Sequence, residues 1–337
     1  MMPPFTVCPD CNFIALRKLD MYRSQRDSSL LITRESIALR RAFPWAQSVQ
    51  KFLRQAQPYA FKGRDLMLGS DYGGDHKKSL YKAYCFLVAD SSPTCWLHRR
   101  KEIRKSYLSD GRRLSFKRLD DPNRQKALVP FLQAADHLTG HIVAVLVDKR
   151  IKRLATDENS LELMNTICPR GKWNPESFEA MARKVHFFSL CLSLWANPGS
   201  NVTWITDEDE FVANEQRLDE AHKYAAKLSS LYSPFKKGVF AMNTTAIDGK
   251  NREYEDFVAI PDLVAGMMTE VCTKLSAFKN WNKIEASEYA LPDEDLSYKS
   301  ALISDWFWYD ALTLKRTCIL INKFDEDRNV VRRLTMK

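Results

Sequence analysis

The chain has 337 residues, 45% apolar and 11% aromatic, enough for a packed core in one large domain or two of ordinary size. Lys and Arg outnumber Asp and Glu by 51 to 42, a net charge of +9. The longest nearly apolar run, Phe187 to Ala196, is well short of the roughly 20 residues of a membrane helix. The start, MMPPFTVCPDC, lacks a basic stretch followed by an apolar one, so a soluble cytoplasmic protein with no membrane partner is expected.

Taken in chain order, Ser36 to Gln57 carries Ile37, Leu39, Phe43, Trp45, Val49, Phe52 and Leu53 at helical spacing, with a kink or break expected at Pro44. Residues 1–60 are therefore expected to form a helical N-terminal extension, and 61–337 the main domain. Leu66 to Asp71 reads as a short buried strand. Leu80 to Ala89 reads as a second, antiparallel one, after turn chemistry at Gly73-Gly74. Trp96 to Leu108 predicts a basic helix and Leu114 to Leu119 a third strand. Asp121-Pro122 opens a helix to about His137, with Leu128, Phe131, Leu132 and Ala135 on one face and Pro130 as a bend.

His141 to Val147 is a strong strand pattern ending at Asp148. Asn174-Pro175-Glu176 starts a helix to Ala196 whose second half is apolar nearly all round, hence buried. Val202 to Thr206 predicts a strand ending at Asp207, Asn214 to Leu231 an amphipathic helix, and Val239 to Met242 a short strand. Pro261 is read as a helix start, with the helix reaching about Phe278 and Asp262 in its first turn. Ser297 to Leu312 predicts an aromatic-rich helix and Thr317 to Asn322 a late strand. Strands interleaved with helices, after one early hairpin, predict an α/β or α+β sheet covered by helices.

Three of these strands finish in a carboxylate, Asp71, Asp148 and Asp207, and a fourth acid, Asp262, follows Ile260-Pro261. In α/β folds the ends of adjacent strands converge on one sheet edge, where ligands bind. Aspartates gathered there repel one another, and a divalent cation is the usual resolution. Mg²⁺ takes one or two carboxylates with water and phosphate oxygens. Two such ions, roughly 4 Å apart, activate a water and stabilise the leaving oxygen of a phosphodiester. Each acid taken singly reads better as a helix cap or turn; the set carries the prediction.

Between His98 and Arg118 nine Lys or Arg face only Glu102 and Asp110, so this stretch holds +7, most of the chain's excess. It suits a polyanionic partner through counterion release, or simply a solvated helix face. The eight cysteines are scattered, mostly in apolar contexts that suit reduced thiols. Cys8-Pro-Asp-Cys11 is half of a zinc site without a second half nearby. The six histidines form no metal motif; His76, after the glycine turn, reads best as a surface residue. Trp306 to Tyr309 offers rings for base stacking, with at least half of them expected in the core.

The order of the pieces resembles the family known as domain of unknown function 3800, whose fold is ribonuclease H-like. The matching pieces are Ser70-Asp71-Tyr72-Gly73 followed by Tyr81 to Ala89, VTWITDEDE at 202–210, IPDLVAGMM at 260–268, and the stretch 114–150. The resemblance spans about residues 64–325. It departs at Tyr72, where the family commonly has Glu, and at Pro261, where Ala is common. It implies a mixed five-stranded sheet, three strands antiparallel and two parallel, flanked by helices. It further implies metal-dependent hydrolysis of nucleic-acid phosphodiesters with Mg²⁺ or Mn²⁺. Asp71 would bridge two ions and Asp207 and Asp262 hold one each, with Asp148 or Asp209 close by. Arg99, Arg100, Arg112, Arg113, Lys117, Arg118 and Arg150 would hold the DNA or RNA backbone. Two readings compete. One is a non-catalytic nucleic-acid-binding or assembly protein of the same fold. The other is an actin-like nucleotide-binding protein, for which Ala246 to Gly249 is a poor second phosphate loop. The choice of DNA or RNA, and whether the chain forms a homodimer, are not legible in these residues.

Overall fold

A computed structural model describes residues 38–39, 42–56, 65–91, 94–155, 158–167, 173–233, 236–249, 251–277, 281, 288–289, 296–309, 311, 313–325 and 328–336. In chain order the elements are α1 (Pro44–Gln55), β1 (Asp65–Gly73), β2 (Tyr81–Asp90), α2 (Thr94–Tyr107), α3 (Pro122–Ala135), β3 (Gly140–Asp148), α4 (Glu158–Ile167), α5 (Pro175–Trp195), β4 (Asn201–Thr206), α6 (Glu215–Tyr232), β5 (Phe240–Thr244), α7 (Glu253–Leu275), β6 (Glu288–Tyr289), α8 (Tyr298–Trp308), β7 (Leu314–Lys323) and β8 (Asn329–Met336). Seven strands form one mixed sheet in the order β5-β4-β1-β2-β3-β7-β8, and the two-residue β6 pairs with β8 at the edge. β1, β2 and β3 are successively antiparallel. β4 and β5 run parallel to β1 on one side, and β7 runs parallel to β3 on the other. The chain is thus α/β, with helices on both faces.

Side-chain alternation along the strands sorts the core into two layers. Leu66, Leu68, Tyr84, Phe86, Val143 and Val145 pack with α1, α5 and α6. Met67, Ala83, Cys85, Leu87, Ile142 and Ala144 face the other way, against α2, α3, α7 and α8. The described part of the N-terminal segment shares the first of these layers: Trp45 is buried there and its Nε1 donates to the Leu154 carbonyl at 3.1 Å. Pro44 stands at the first position of α1 after the non-helical Phe43, the break its ring favours.

Four features depart from the sequence reading. The sheet is wider than five strands, because β7, β8 and β6 extend it beyond β3. Leu114 to Leu119 is not a strand; it is an irregular segment containing the single 3-10 turn Phe116–Arg118. Its Leu114 and Leu119 fill the α2–α3–α7 layer, and the Phe116 N–H binds a side chain of α7 rather than a strand. Pro261 lies inside α7 rather than at its start. The helix begins eight residues earlier because the Asp248 carboxylate accepts from the N–H groups of Glu253 (3.0 Å) and Glu255 (2.7 Å). Finally, α4 and β8 were not anticipated from the local pattern.

The basic stretch is partly internal. Arg100, only 1% exposed, donates to Asp256 at 2.6 Å, and Arg104 forks onto the same carboxylate at 2.6 and 2.7 Å, fastening α2 to α7. Replacing Asp256 by Ala leaves two guanidinium groups without their acceptor. The expected cost is about 3–5 kcal/mol of unfolding free energy in a urea titration; a loss below about 1 kcal/mol would place this pair among inconsequential surface contacts.

Candidate active site

Register places the first two acids. β1 and β4 run parallel with Ser70 opposite Thr206, so Asp71 and Asp207 follow side by side at the C-terminal edge of the sheet. α7 crosses β1 on the face to which Asp71 points. A Cβ on Gly73 would sit 3.1 Å from the Ala265 carbonyl oxygen, so the bare glycine is what lets strand and helix approach so closely. That approach brings Asp262, three residues before Ala265, onto Asp71, and the two carboxyls hydrogen-bond to each other. All three acids are half-buried.

The segment from Gly111 to Arg118 crosses above them. The Phe116 N–H donates to Asp262 Oδ2 at 2.7 Å. Its ring occupies the space over Gly266, where a Cβ would lie 2.1 Å from the ring carbon. Asp207 Oδ1 accepts from Arg113 Nη2 at 2.5 Å, from the Glu208 N–H at 2.9 Å and from Thr245 Oγ1 at 3.1 Å. Thr245 and Gly266 were not singled out in the sequence. The signal for Gly266 was present, since an isolated glycine inside a helical pattern marks a close packing point; Thr245 left none.

Burial is the main cause that pushes the Asp71 carboxyl well above the usual carboxylate range, with the charges of Asp262 and Asp207 adding to it. Burial raises Asp262 as well, but the hydrogen bonds from Asp71 and the Phe116 N–H and the Arg113 charge pull it back. Burial and the neighbouring acids thus favour a protonated carboxyl in this pair, which a hydrogen bond between the two carboxyls requires.

The other candidates lie elsewhere. Asp148 closes β3 opposite Tyr81, two strands from β1 and four residues beyond the row of Asp71, Cys85 and Ala144. Strand spacing puts it roughly 16 Å away. Its carboxylate is held by Arg150, at 2.5 Å from Nη2 and 2.9 Å from the N–H. Asp209 is bound by Lys184, whose ammonium lies 4.2 Å from the ring centres of both Tyr72 and Phe211. Tyr72 belongs to the opposite layer from Asp71. The sheet thus unites Asp71, Asp207 and Asp262, and brings neither Asp148 nor Asp209 to them.

Of the basic residues, Arg100 is buried on Asp256, Arg112 is tied to Asp110 and Asp121, and Arg150 to Asp148. Arg113 joins the acids. Lys117 and Arg118 are exposed on the turn that carries Phe116, and Arg99 is half-buried on α2. His76 is exposed. Phe307 is core, Arg316 stacks 4.1 Å from the Trp306 ring, and Tyr309 is 62% exposed. Cys8 and Cys11 lie outside the described residues.

Among the described residues no three or more His, Cys, Asp or Glu side chains form a ready-made metal cage. The donor chemistry of Asp71 and Asp262 nevertheless fits a hard divalent cation: two carboxyls hydrogen-bonded to each other, with Asp207 adding its charge. Comparison with protein-family models, with curated proteins and with solved structures returned no match.

The carboxyl pair has a consequence for stability. The folded chain keeps a proton on Asp71 that the unfolded chain loses in the usual carboxylate range, so this acid lowers stability increasingly as pH rises above that range. Asp71→Asn retains a donor toward Asp262 without the repulsion. In metal-free buffer it is expected to raise unfolding free energy by about 1 kcal/mol, with more gain near about pH 8 than near about pH 4. A urea midpoint that falls in the variant would contradict the shared-proton arrangement.

Proposed function

We propose that this protein is a metal-dependent nuclease of ribonuclease H-like type, hydrolysing nucleic-acid phosphodiesters with Mg²⁺ or Mn²⁺ held at the C-terminal edge of the sheet. The observation that carries the reading is the contact between the Asp71 and Asp262 carboxyls, with Asp207 beside them. A protein pays for such repulsion where a bound cation or a proton-transfer role returns the cost. The strand unit β5-β4-β1-β2-β3, three strands antiparallel and two parallel, supports it further, since it has the pattern the family resemblance implies.

Asp71 and Asp262 would hold the cation, which supplies Lewis-acid polarisation of the phosphoryl oxygens and a more acidic water. Thr245 and the Glu208 N–H orient Asp207. The Phe116 N–H orients Asp262 and keeps its charge on the site. Lys117 and Arg118, exposed on the same turn, take backbone phosphates and set the register of the strand against the acids. One observation favours a non-catalytic nucleic-acid-binding module instead: Tyr72 stands where the resembled family carries a further acid, and its hydroxyl bonds Ser70 Oγ at 2.9 Å.

The test is cleavage of labelled single- and double-stranded DNA and RNA with Mg²⁺, Mn²⁺ or EDTA. Cleavage is expected with either metal and not with EDTA, and is expected to fall by at least about a hundredfold in folded Asp71→Asn and Asp262→Asn variants. No cleavage by any of the three proteins, with nucleic-acid binding unchanged among them, would overturn the nuclease reading in favour of the binding module.

A further inference from the structure

We propose that the protein takes its nucleic acid as a single strand, with Tyr298 as the ring on which an unpaired base stacks. The inference rests on the nucleic-acid reading above and narrows its substrate class. Tyr298 opens α8, and 71% of it is exposed.

One face of α7 sets where this ring stands. Asp262, Gly266 and Glu270 follow at four-residue spacing, so they lie one above another along the helix. Each of them holds part of what covers that face. Asp262 accepts the Phe116 N–H at 2.7 Å, and Gly266 leaves room for the Phe116 ring. Glu270 takes the start of α8. Its Oε1 accepts from the Ser297 N–H at 2.6 Å, and its Oε2 from the hydroxyls of Ser297 at 2.8 Å and Ser300 at 2.7 Å. The two covering segments meet, because the Lys299 ammonium stands 4.9 Å from the centre of the Phe116 ring. The anchor of Tyr298 is therefore roughly 12 Å along α7 from Asp262, on the side of the turn that carries Lys117 and Arg118.

A lone exposed tyrosine is ordinary on a protein surface. The mounting and the surroundings of Tyr298 are not. The bonds to Glu270 fix the backbone on both sides of it, so a stacking base has only the ring's own side-chain torsions to order. The surface around it is basic: Lys117, Arg118, Lys274 and Lys299 outnumber Asp120, which lies 3.3 Å from Lys299, and the hydroxyl-bound Glu270. Cations beside an exposed ring suit a single strand, which offers phosphates to the one and a base face to the other. In a duplex the base faces already cover each other, and the ring finds none to stack on.

Fluorescence anisotropy with labelled probes of equal length tests this: single strands of DNA and of RNA, an abasic strand and a duplex, read in EDTA and again in Mg²⁺. The wild type is expected to bind the single strands more tightly than the abasic strand or the duplex. Tyr298→Ala is expected to weaken single-strand binding about tenfold and to leave the abasic strand and the duplex unchanged. Tyr298→Phe is expected to bind like the wild type. A loss confined to DNA or to RNA would support the proposal and identify the sugar. Undiminished binding of both single strands by Tyr298→Ala, or an equal loss on every probe, would overturn the proposal and leave the nuclease reading standing. A wild type that binds no probe in either buffer would overturn the nucleic-acid reading itself, and the proposal with it.

Discussion

Two carboxyl groups in contact organise this structure. Asp71 and Asp262 come from elements nearly 200 residues apart in the chain, and nothing in their local sequence requires them to meet. They meet because β1 offers α7 a strand surface without a Cβ at Gly73, and α7 can lie down on it. The helix is then seated a second time, through Gly266, by the Phe116 ring of the overlying segment. Both glycines therefore serve one outcome, the depth at which α7 and its cover sit over the sheet edge. The carboxyl contact is the unfavourable term that this packing imposes, offset by the buried apolar layer of α7, which includes Phe257, Ile260, Leu263, Val264 and Met268.

The opposite face of the same sheet edge shows the contrasting solution. There an acid of the β4 loop, Asp209, is paired directly with a buried lysine, Lys184, which also lies against the rings of Tyr72 and Phe211. Asp148 is likewise closed off by Arg150 of its own turn. Each of these acids has a private cation and anchors structure: Lys184 pins the loop that follows β4, and with it the position of Asp207 two residues earlier. The Asp71–Asp262 pair instead faces a second carboxyl, with the Phe116 N–H on Asp262 and no cation of its own bonded to it among the described residues. The difference between structural and chemically poised carboxylates lies in what was built next to each, not in the acids themselves.

The fold was legible where the pattern is strong and local. The β1–β2 hairpin, the apolar runs of β3 and β7, and the capped starts of α3, α5 and α6 appear where periodicity and caps put them, at Asp121, Asn174 and Asn214. What was not legible depends on tertiary partners. Pro261 looks like a helix start, but Asp248 caps the helix earlier and the proline is carried in its interior. Leu114 to Leu119 alternates like a strand, yet its backbone bonds a side chain of α7. β8 mixes arginines with valines, a pattern that makes sense only once Arg332 is seen donating to the Trp281 carbonyl. In the candidate site, the acids that converge were visible as strand-end and helix residues. Which of them would be paid off by a neighbouring cation was not, because Arg150, Lys184 and Arg113 reach them through turns and helix faces that the sequence does not orient.

The central claim is that the Asp71–Asp262 contact is a seat for a divalent cation. The most direct measurement is the thermal unfolding midpoint of the EDTA-treated protein as Mn²⁺ is added, for the wild type and for Asp71→Asn. A ligand that binds only the folded state raises the midpoint in proportion to the logarithm of its concentration above its dissociation constant. The account predicts such a rise in the wild type and none in the variant. Equal responses in the two proteins, or no response in either, would contradict it.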